Sequence, residues 1–146
     1  MKLNATHVAE RLTGVSDRGS GISVDLTVMK INEILGNPRL YSSGMNGVTS
    51  LPAEMTEGFY ELEPYKAYEV VFNEGLKRLP SNECATIIQR RTLNSCGVLL
   101  QSCIYEPDFE CEHLVATLYT SHLSFFCSRG TALAKIMIET TEDSDA

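Results

Sequence analysis

IIQRRTLNSCGVLLQSCIYEPDF, residues 87–109, is the stretch whose reading sets the fold. Ile87 and Ile88 lead into Arg90-Arg91-Thr92, while Asn94, Ser95 and Gly97 supply turn chemistry. An apolar run over 98–105 then returns before Glu106-Pro107-Asp108-Phe109 ends it. The pattern predicts a β-hairpin with guanidinium groups near one end and a carboxylate pair across the return strand. Arginine forks match phosphate oxygens bidentately, and hydroxyls and turn amides complete an anion cradle, so phosphate is the natural ligand of the arginine end. The same charges also read as a solvated turn, with Arg90 and Arg91 paired to Glu106 or Asp108.

Working outward, short strands recur on both sides. Ile22, Val24, Leu26 and Val28 alternate with Ser23, Asp25 and Thr27, a half-buried strand on whose polar face Asp25 either orients an arginine or faces water. Residues 59–62, 67–72, 84–89, 98–105, 114–119, 123–127 and 132–139 read as further strands. Many short strands between turn residues describe an all-β sandwich, barrel or jelly roll. Asn4 caps a short N-terminal helix over 5–12, with Val8 and Leu12 on one face and Gly14 ending it. His7 on that helix reads as a solvated or satisfied histidine rather than a ligand. Residues 16–21 form a polar turn, and the Gly, Pro, Ser and Asn of 36–58 describe a lid or an irregular ribbon. One domain over 1–139 is expected, followed by a disordered acidic tail over 140–146.

Composition narrows the function classes. A 146-residue chain with 43% hydrophobic residues builds a core without staples. Its net charge of -7 argues against general binding to nucleic acid or to an anionic membrane, so an anionic ligand requires a local basic pocket. No apolar run approaches the roughly 20 residues of a membrane span, and the N-terminus lacks the apolar core of a signal peptide, so a cytoplasmic protein is expected. Five cysteines without a CxxC pair fit reduced, mostly buried thiols. Cys111-Glu112-His113 is the only local metal-like cluster, and strand neighbours point to opposite faces, so it reads as exposed strand. The zinc-deaminase signature is absent, and neither zinc nor any other protein-bound metal site is expected.

The order of these pieces resembles the family of dUTP pyrophosphatases and dCTP deaminases. Residues 22–26, I-S-V-D-L, are similar to the family's early S-V-D-L strand, and Phe59 to Tyr65 resembles its L-x-P-G segment. Leu79-Pro80 matches the L-P that ends the next turn. R-R-T-L-N-S-C-G over 90–97 lies over the deaminase R-S-S-L-A-R-L-G, keeping Arg90, a hydroxyl at Thr92, Leu93 and Gly97. Y-E-P-D-F over 105–109 sits where the family has I-D-P-G-F or I-D-x-D-Y, and G-T-A-L-A-K-I-M-I-E over 130–139 resembles the closing G-x-x-I-A-Q-L-x-F-E. The resemblance implies a distorted jelly roll, usually trimeric, with sites between subunits. It places Arg90 and Thr92 at phosphates from one subunit and Glu106 and Phe109 at the sugar and base held by another, with Phe109 stacked on the sugar. Arg91, Ser95, Asp108 and Lys135 complete the expected nucleotide-binding set.

Departures from the family weaken its chemistry. Glu106 stands at the position of the pyrophosphatase aspartate base but adds a methylene, a shift of about an ångström or more that misplaces a base. Thr117 falls where deaminases carry a catalytic glutamate, and threonine does not shuttle protons at neutral pH. Ser95 replaces the second deaminase arginine, with Arg91 beside it, Lys135 replaces the closing glutamine, and the Gly-rich C-terminal arm is lacking. The expectation is therefore a trimer that binds a phosphorylated nucleotide with weakened or lost catalysis, of the kind a phage uses to sequester a nucleotide, located then in the host cytoplasm. The alternatives are a deoxynucleoside triphosphate pyrophosphatase with Glu106 as base and Mg2+ bridging the phosphates, and a structural or interaction jelly roll; deamination is disfavoured.

Overall fold

The computed structural model describes residues 1–15, 21–101 and 103–141. Its helices are α1 (Ala5–Glu10) and the single turn α2 (Arg91–Asn94). The strands of the first half are β1 (Leu12–Thr13), β2 (Val24–Tyr41), β3 (Gly44–Pro52), β4 (Met55–Thr56), β5 (Phe59–Leu62), β6 (Ala67–Phe72) and β7 (Gly75–Leu76). Those of the second are β8 (Glu83–Gln89), β9 (Leu99–Gln101), β10 (Ile104–Tyr105), β11 (Val115–Tyr119), β12 (Phe125–Ser128) and β13 (Ala132–Thr140). The main sheet runs β10-β8-β13-β2-β6-β11-β9, with β3 paired to β2, while β12-β5-β4 and β1-β7 form smaller sheets. This is the expected all-β, curled architecture with a short N-terminal helix.

Alternation builds the core. Ala85 and Ile87 on β8, Val24, Leu26 and Val28 on β2, and Ile136 and Ile138 on β13 are buried, while Asp25, Ile88 and Lys135 point outward and remain half-exposed. A bulge between Ala132 and Ala134 interrupts the period of two, so Leu133 and Ala134 are both buried. Ala5, Val8 and Ala9 of α1 cover the β13 and β2 side of this core. The Asn4 carboxamide accepts from the His7 N–H at 3.0 Å and starts the helix. It stops at Glu10, earlier than its apolar pattern predicts, because Leu12 leaves to pair with Leu76. His7 is exposed, the solvated of its two readings.

Two buried carboxylates fasten the layers. Glu83, at the start of β8, takes a bidentate pair from Arg11 at 2.8 and 2.9 Å, and that hydrogen bonding raises the arginine pKa further. Glu74, 1% exposed, accepts from the Thr27 N–H and the Thr27 hydroxyl, both at 2.7 Å. Asn73 donates to the same hydroxyl at 3.0 Å, so the turn after β6 is tied to β2 by a network of paired groups.

Several expectations are corrected. Much of 36–58 is neither lid nor loop but the outer part of a long hairpin, β2 with β3, paired from Asn32–Pro52 to Tyr41–Gly44. Turn residues inside it serve a register shift between Gly36 and Arg39 rather than ending strands. The run over 98–105 divides: β9 pairs with β11, and only β10 pairs with β8. Ser102 lies between them, outside the described residues. Thr140 belongs to β13, its N–H donating to the Met1 carbonyl at 2.8 Å, so the tail does not begin there; residues 142–146, like 16–20 of the polar turn, are outside the described residues. Of the cysteines only Cys127 is buried, Cys96 and Cys103 being exposed, because Cys96 falls in the turn after α2 and Cys103 in the connection between β9 and β10 rather than on a core-facing strand position. Cys111 bridges Leu76 and His113 Nδ1 meets the Phe72 carbonyl at 2.9 Å, so the 111–113 triplet is a tethered turn and not an exposed strand.

Gly36 and Gly47 adopt φ of +100° and +82°, and a Cβ on either would run into the other strand's backbone, at the carbonyl oxygens of Gly47 and Asn37. Gly36→Ala is expected to open the outer hairpin to proteolysis and amide exchange while leaving the urea midpoint of the body nearly unchanged. A large drop in that midpoint would show that the hairpin and body unfold together.

Candidate functional site

The first polar group of the hairpin gathers where β8 ends. Arg90 sits at the N-terminus of α2 with its N–H donating to the Leu133 carbonyl at 3.1 Å, which ties α2 to β13. Its guanidinium lies 3.5 Å from the Asp25 carboxylate, with both side chains about one third exposed. Asp25 therefore orients an arginine, one of the two roles open to it from sequence. Lys135 stands directly across from Asp25 in the β13–β2 register and across from Ile88 in the β13–β8 register. Arg91, Thr92 and Ser95 are exposed on or next to α2. Arg90 and Lys135 flank the Asp25 carboxylate and Arg91 follows on α2, which makes this corner locally basic in an acidic chain.

Beside it lies an apolar cavity of about 270 Å³, lined by Thr92, Leu93, Cys96, Phe59, Phe126 and Cys127 among others. Burial pushes the Cys127 thiol up to about 12. Between about pH 9 and 12 the unfolded chain has released this proton and the folded one has not, so stability falls with rising pH, by about 1.4 kcal/mol per unit. Tyr68 and Tyr105, whose phenols burial also raises, add to the fall only above about pH 10. The expected result is a stability that declines from pH 9 upward in wild type and less steeply in Cys127→Ala. Thiol titration of the native protein should find Cys96 and Cys103 reactive and Cys127 inert.

The second polar group occupies the other end of β8. Tyr105 pairs with Ala85, so Glu106 follows beyond the Cys84 end while Arg90 follows Gln89, about 20 Å away along the strand. Glu106 and Asp108 are exposed. Pro107 and the left-handed Asp108, at φ 69°, make the turn, closed by the Phe109 N–H on the Glu106 carbonyl at 3.3 Å. Phe109 stacks on Tyr105 with ring centroids 4.6 Å apart and keeps 38% of its surface exposed, more than a core residue closing a strand would. Asp108 faces Arg78 at 3.5 Å, and Arg90 faces Asp25; neither hairpin arginine is paired to Glu106 or Asp108 among the described residues.

The structure thus brings Arg90, Lys135 and the α2 residues together and sets Glu106, Asp108 and Phe109 apart from them. No protein-family model and no curated protein matches the sequence. Among solved structures the chain is similar to 2'-deoxycytidine 5'-triphosphate deaminase from Agrobacterium tumefaciens, with a TM-score of 0.71 and 13% identity over 95% of this chain and 48% of the deaminase. The fold is dCTP deaminase-like. The chain spans about half the length of that deaminase, and at this identity the likeness concerns the fold alone.

Within the dCTP deaminase-like fold, sequence reading missed three features. Thr117 on β11 stands across from Glu69 on β6, and Glu69 is held by the Asn32 amide at 3.1 Å, so a carboxylate adjoins the threonine after all. Lys66 bridges Glu33 at 3.0 Å and Glu63 at 2.6 Å beside a cavity of about 420 Å³ that Glu54, Glu61 and Tyr68 also line. Those bonds, led by Glu63, raise the lysine pKa. The Arg11–Glu83 pair is the third. Thr117–Glu69, Lys66–Glu33 and Arg11–Glu83 join residues distant in sequence, and no local spacing announces such pairs. Among the described residues no group of three acidic, histidine or cysteine side chains is placed to hold a metal, and no helix is long and apolar enough to cross a membrane.

Proposed function

We propose that this chain binds a phosphorylated nucleotide at interfaces between copies of itself, in a homotrimer, and holds it with little or no turnover. What supports the reading is the basic corner of Arg90, Arg91 and Lys135, in which Asp25 orients Arg90, bordered by an apolar cavity that reaches Thr92. Arg90 and Lys135 meet phosphate oxygens, Thr92 and Ser95 add hydroxyl donors, and the cavity shelters an apolar portion of the ligand. Glu106, Asp108 and the Tyr105–Phe109 stack lie too far along β8 to act on the same ligand within one protomer. In an oligomer they act on the ligand held by a neighbouring copy, Phe109 against the sugar. Mg2+ accompanies the phosphates as a counter-ion of the ligand.

Weak catalysis follows from what surrounds the phosphates. Binding an anion needs cations and donors, whereas hydrolysis needs a placed base in a site that excludes water. Glu106 is exposed on its turn, with a longer side chain than the aspartate expected there. The same carboxylate favours a second reading, a nucleotide pyrophosphatase with Glu106 as base; a purely structural jelly roll is the third. Titration calorimetry against dUTP, dCTP and cyclic dinucleotides with Mg2+, followed by anion-exchange analysis of each ligand, separates them. Intact ligand after binding supports sequestration, release of dUMP from dUTP supports the enzyme, and no binding anywhere removes the nucleotide reading.

A further inference from the structure

The outer part of the β2–β3 hairpin has nothing to pack on within the chain. From Leu35 onward both of its faces are exposed, including Leu40 at 85% and Met45 at 62%. Leu40 stands directly across from Met45, and Leu35 and Leu51 share one face nearer the base. A two-stranded ribbon in water is marginal at best, and six large apolar residues on this one (Leu35, Leu40, Tyr41, Met45, Val48, Leu51) call for a cover. Residues 34–52 hold a single charged group, Arg39, which is too little for nucleic acid.

The two edges of the ribbon differ. The free edge of β2 carries Pro38, Arg39 and the register shift at Gly36, all devices that discourage a further strand. Among the described residues β3 pairs only with β2, and GMNGVTSLP over 44–52 has no charge, and no proline before its last residue, to guard its outer edge. Its sequence is also self-complementary. Run antiparallel to itself about Val48, it sets Val48 against Val48, Met45 against Leu51, Asn46 against Ser50 and Gly47 against Thr49. Apolar meets apolar at Val48 and at Met45–Leu51, polar meets polar at Asn46–Ser50, the small Gly47 and Gly44 oppose Thr49 and Pro52, and no like charges are opposed.

We propose that β3 is an assembly edge whose occupant is β3 of a second copy, joined antiparallel about a two-fold axis through Val48. The result is a continuous four-stranded ribbon, β2-β3 of one copy with β3-β2 of the other, that leaves no unguarded edge. Combined with a three-fold assembly it closes as a hexamer; without one it gives a dimer. The inference does not depend on nucleotide binding.

Light scattering on the purified full chain should give a mass that is an even multiple of 16.1 kDa. Val48→Lys, on an exposed side chain, places two ammonium groups at the axis and should halve that mass with an unchanged circular dichroism spectrum. Because that variant removes a β-branched residue from the ribbon, Val48→Cys in a Cys96→Ser, Cys103→Ser background gives a second readout. Mild oxidation should link two chains through a disulfide that peptide mapping places at position 48 on both. An odd mass, a mass that Val48→Lys leaves unchanged, or the absence of that cross-link overturns the pairing.

Discussion

Arg90→Ala lowers nucleotide affinity by at least about a hundredfold and leaves the fold intact. A bidentate, charge-assisted contact to phosphate contributes about 3 kcal/mol when its partner is held in place, and 1.4 kcal/mol is a factor of ten. Arg90 is held in place: its backbone is bonded to Leu133 and its guanidinium faces Asp25. The stability cost stays within about 1 kcal/mol, since both partners are partly solvated and Asp25 can turn to water. Arg90→Lys keeps the charge and loses the fork, so its affinity falls between wild type and alanine. Calorimetry with the best ligand of the panel, beside a urea titration, checks both halves of the expectation. Undiminished affinity in both Arg90→Ala and Arg91→Ala removes the phosphate assignment.

Glu74→Ala produces the largest loss of stability, about 3 kcal/mol. The carboxylate is 1% exposed and satisfies both the Thr27 N–H and the Thr27 hydroxyl, so its removal strands a backbone donor and leaves a cavity at the joint between β2 and the turn after β6. Against a total of about 5–15 kcal/mol that is a large share, readable as a fall of roughly ten degrees in the thermal midpoint. Glu74→Gln keeps an acceptor for the N–H but no longer a second one for the hydroxyl proton, and should cost about half as much. Equal losses for the two variants would mean that the packing of the side chain, and not its acceptors, is what matters.

The parts of the fold that sequence made legible are those written in local period. β5 and β6 lie over the predicted residues, and β8, β11 and β13 differ from them by a residue at one end. Their apolar residues alternate, and turn residues bound them. The outer hairpin was illegible because glycine, proline and asparagine usually end strands, whereas here Gly36 and Gly47 accommodate a register shift inside one. The parting of β9 from β10 depends on which neighbour each strand finds across the sheet, which no run of residues encodes. At the candidate site, motif order picked out Arg90 and Lys135, and only the sheet register placed Asp25 between them. Glu106 and Phe109 are near Arg90 in sequence yet a strand's length away in space, since β8 separates the two turns.

The place of β13 decides when this protein can form at all. Among the described residues it is the last strand, yet it lies inside the main sheet, between β8 and β2, and joins Lys135 to Asp25 across a long stretch of sequence. On a ribosome, β2 and β8 emerge long before the strand that unites them. Until it leaves the exit tunnel, each has an apolar edge with no partner. The β2–β6 and β6–β11 pairs can form without it, but joining β8 to them requires closing a loop of that size, which makes for slow completion of the sheet. A stop codon just before Ala132 would leave chains that no amount of waiting assembles.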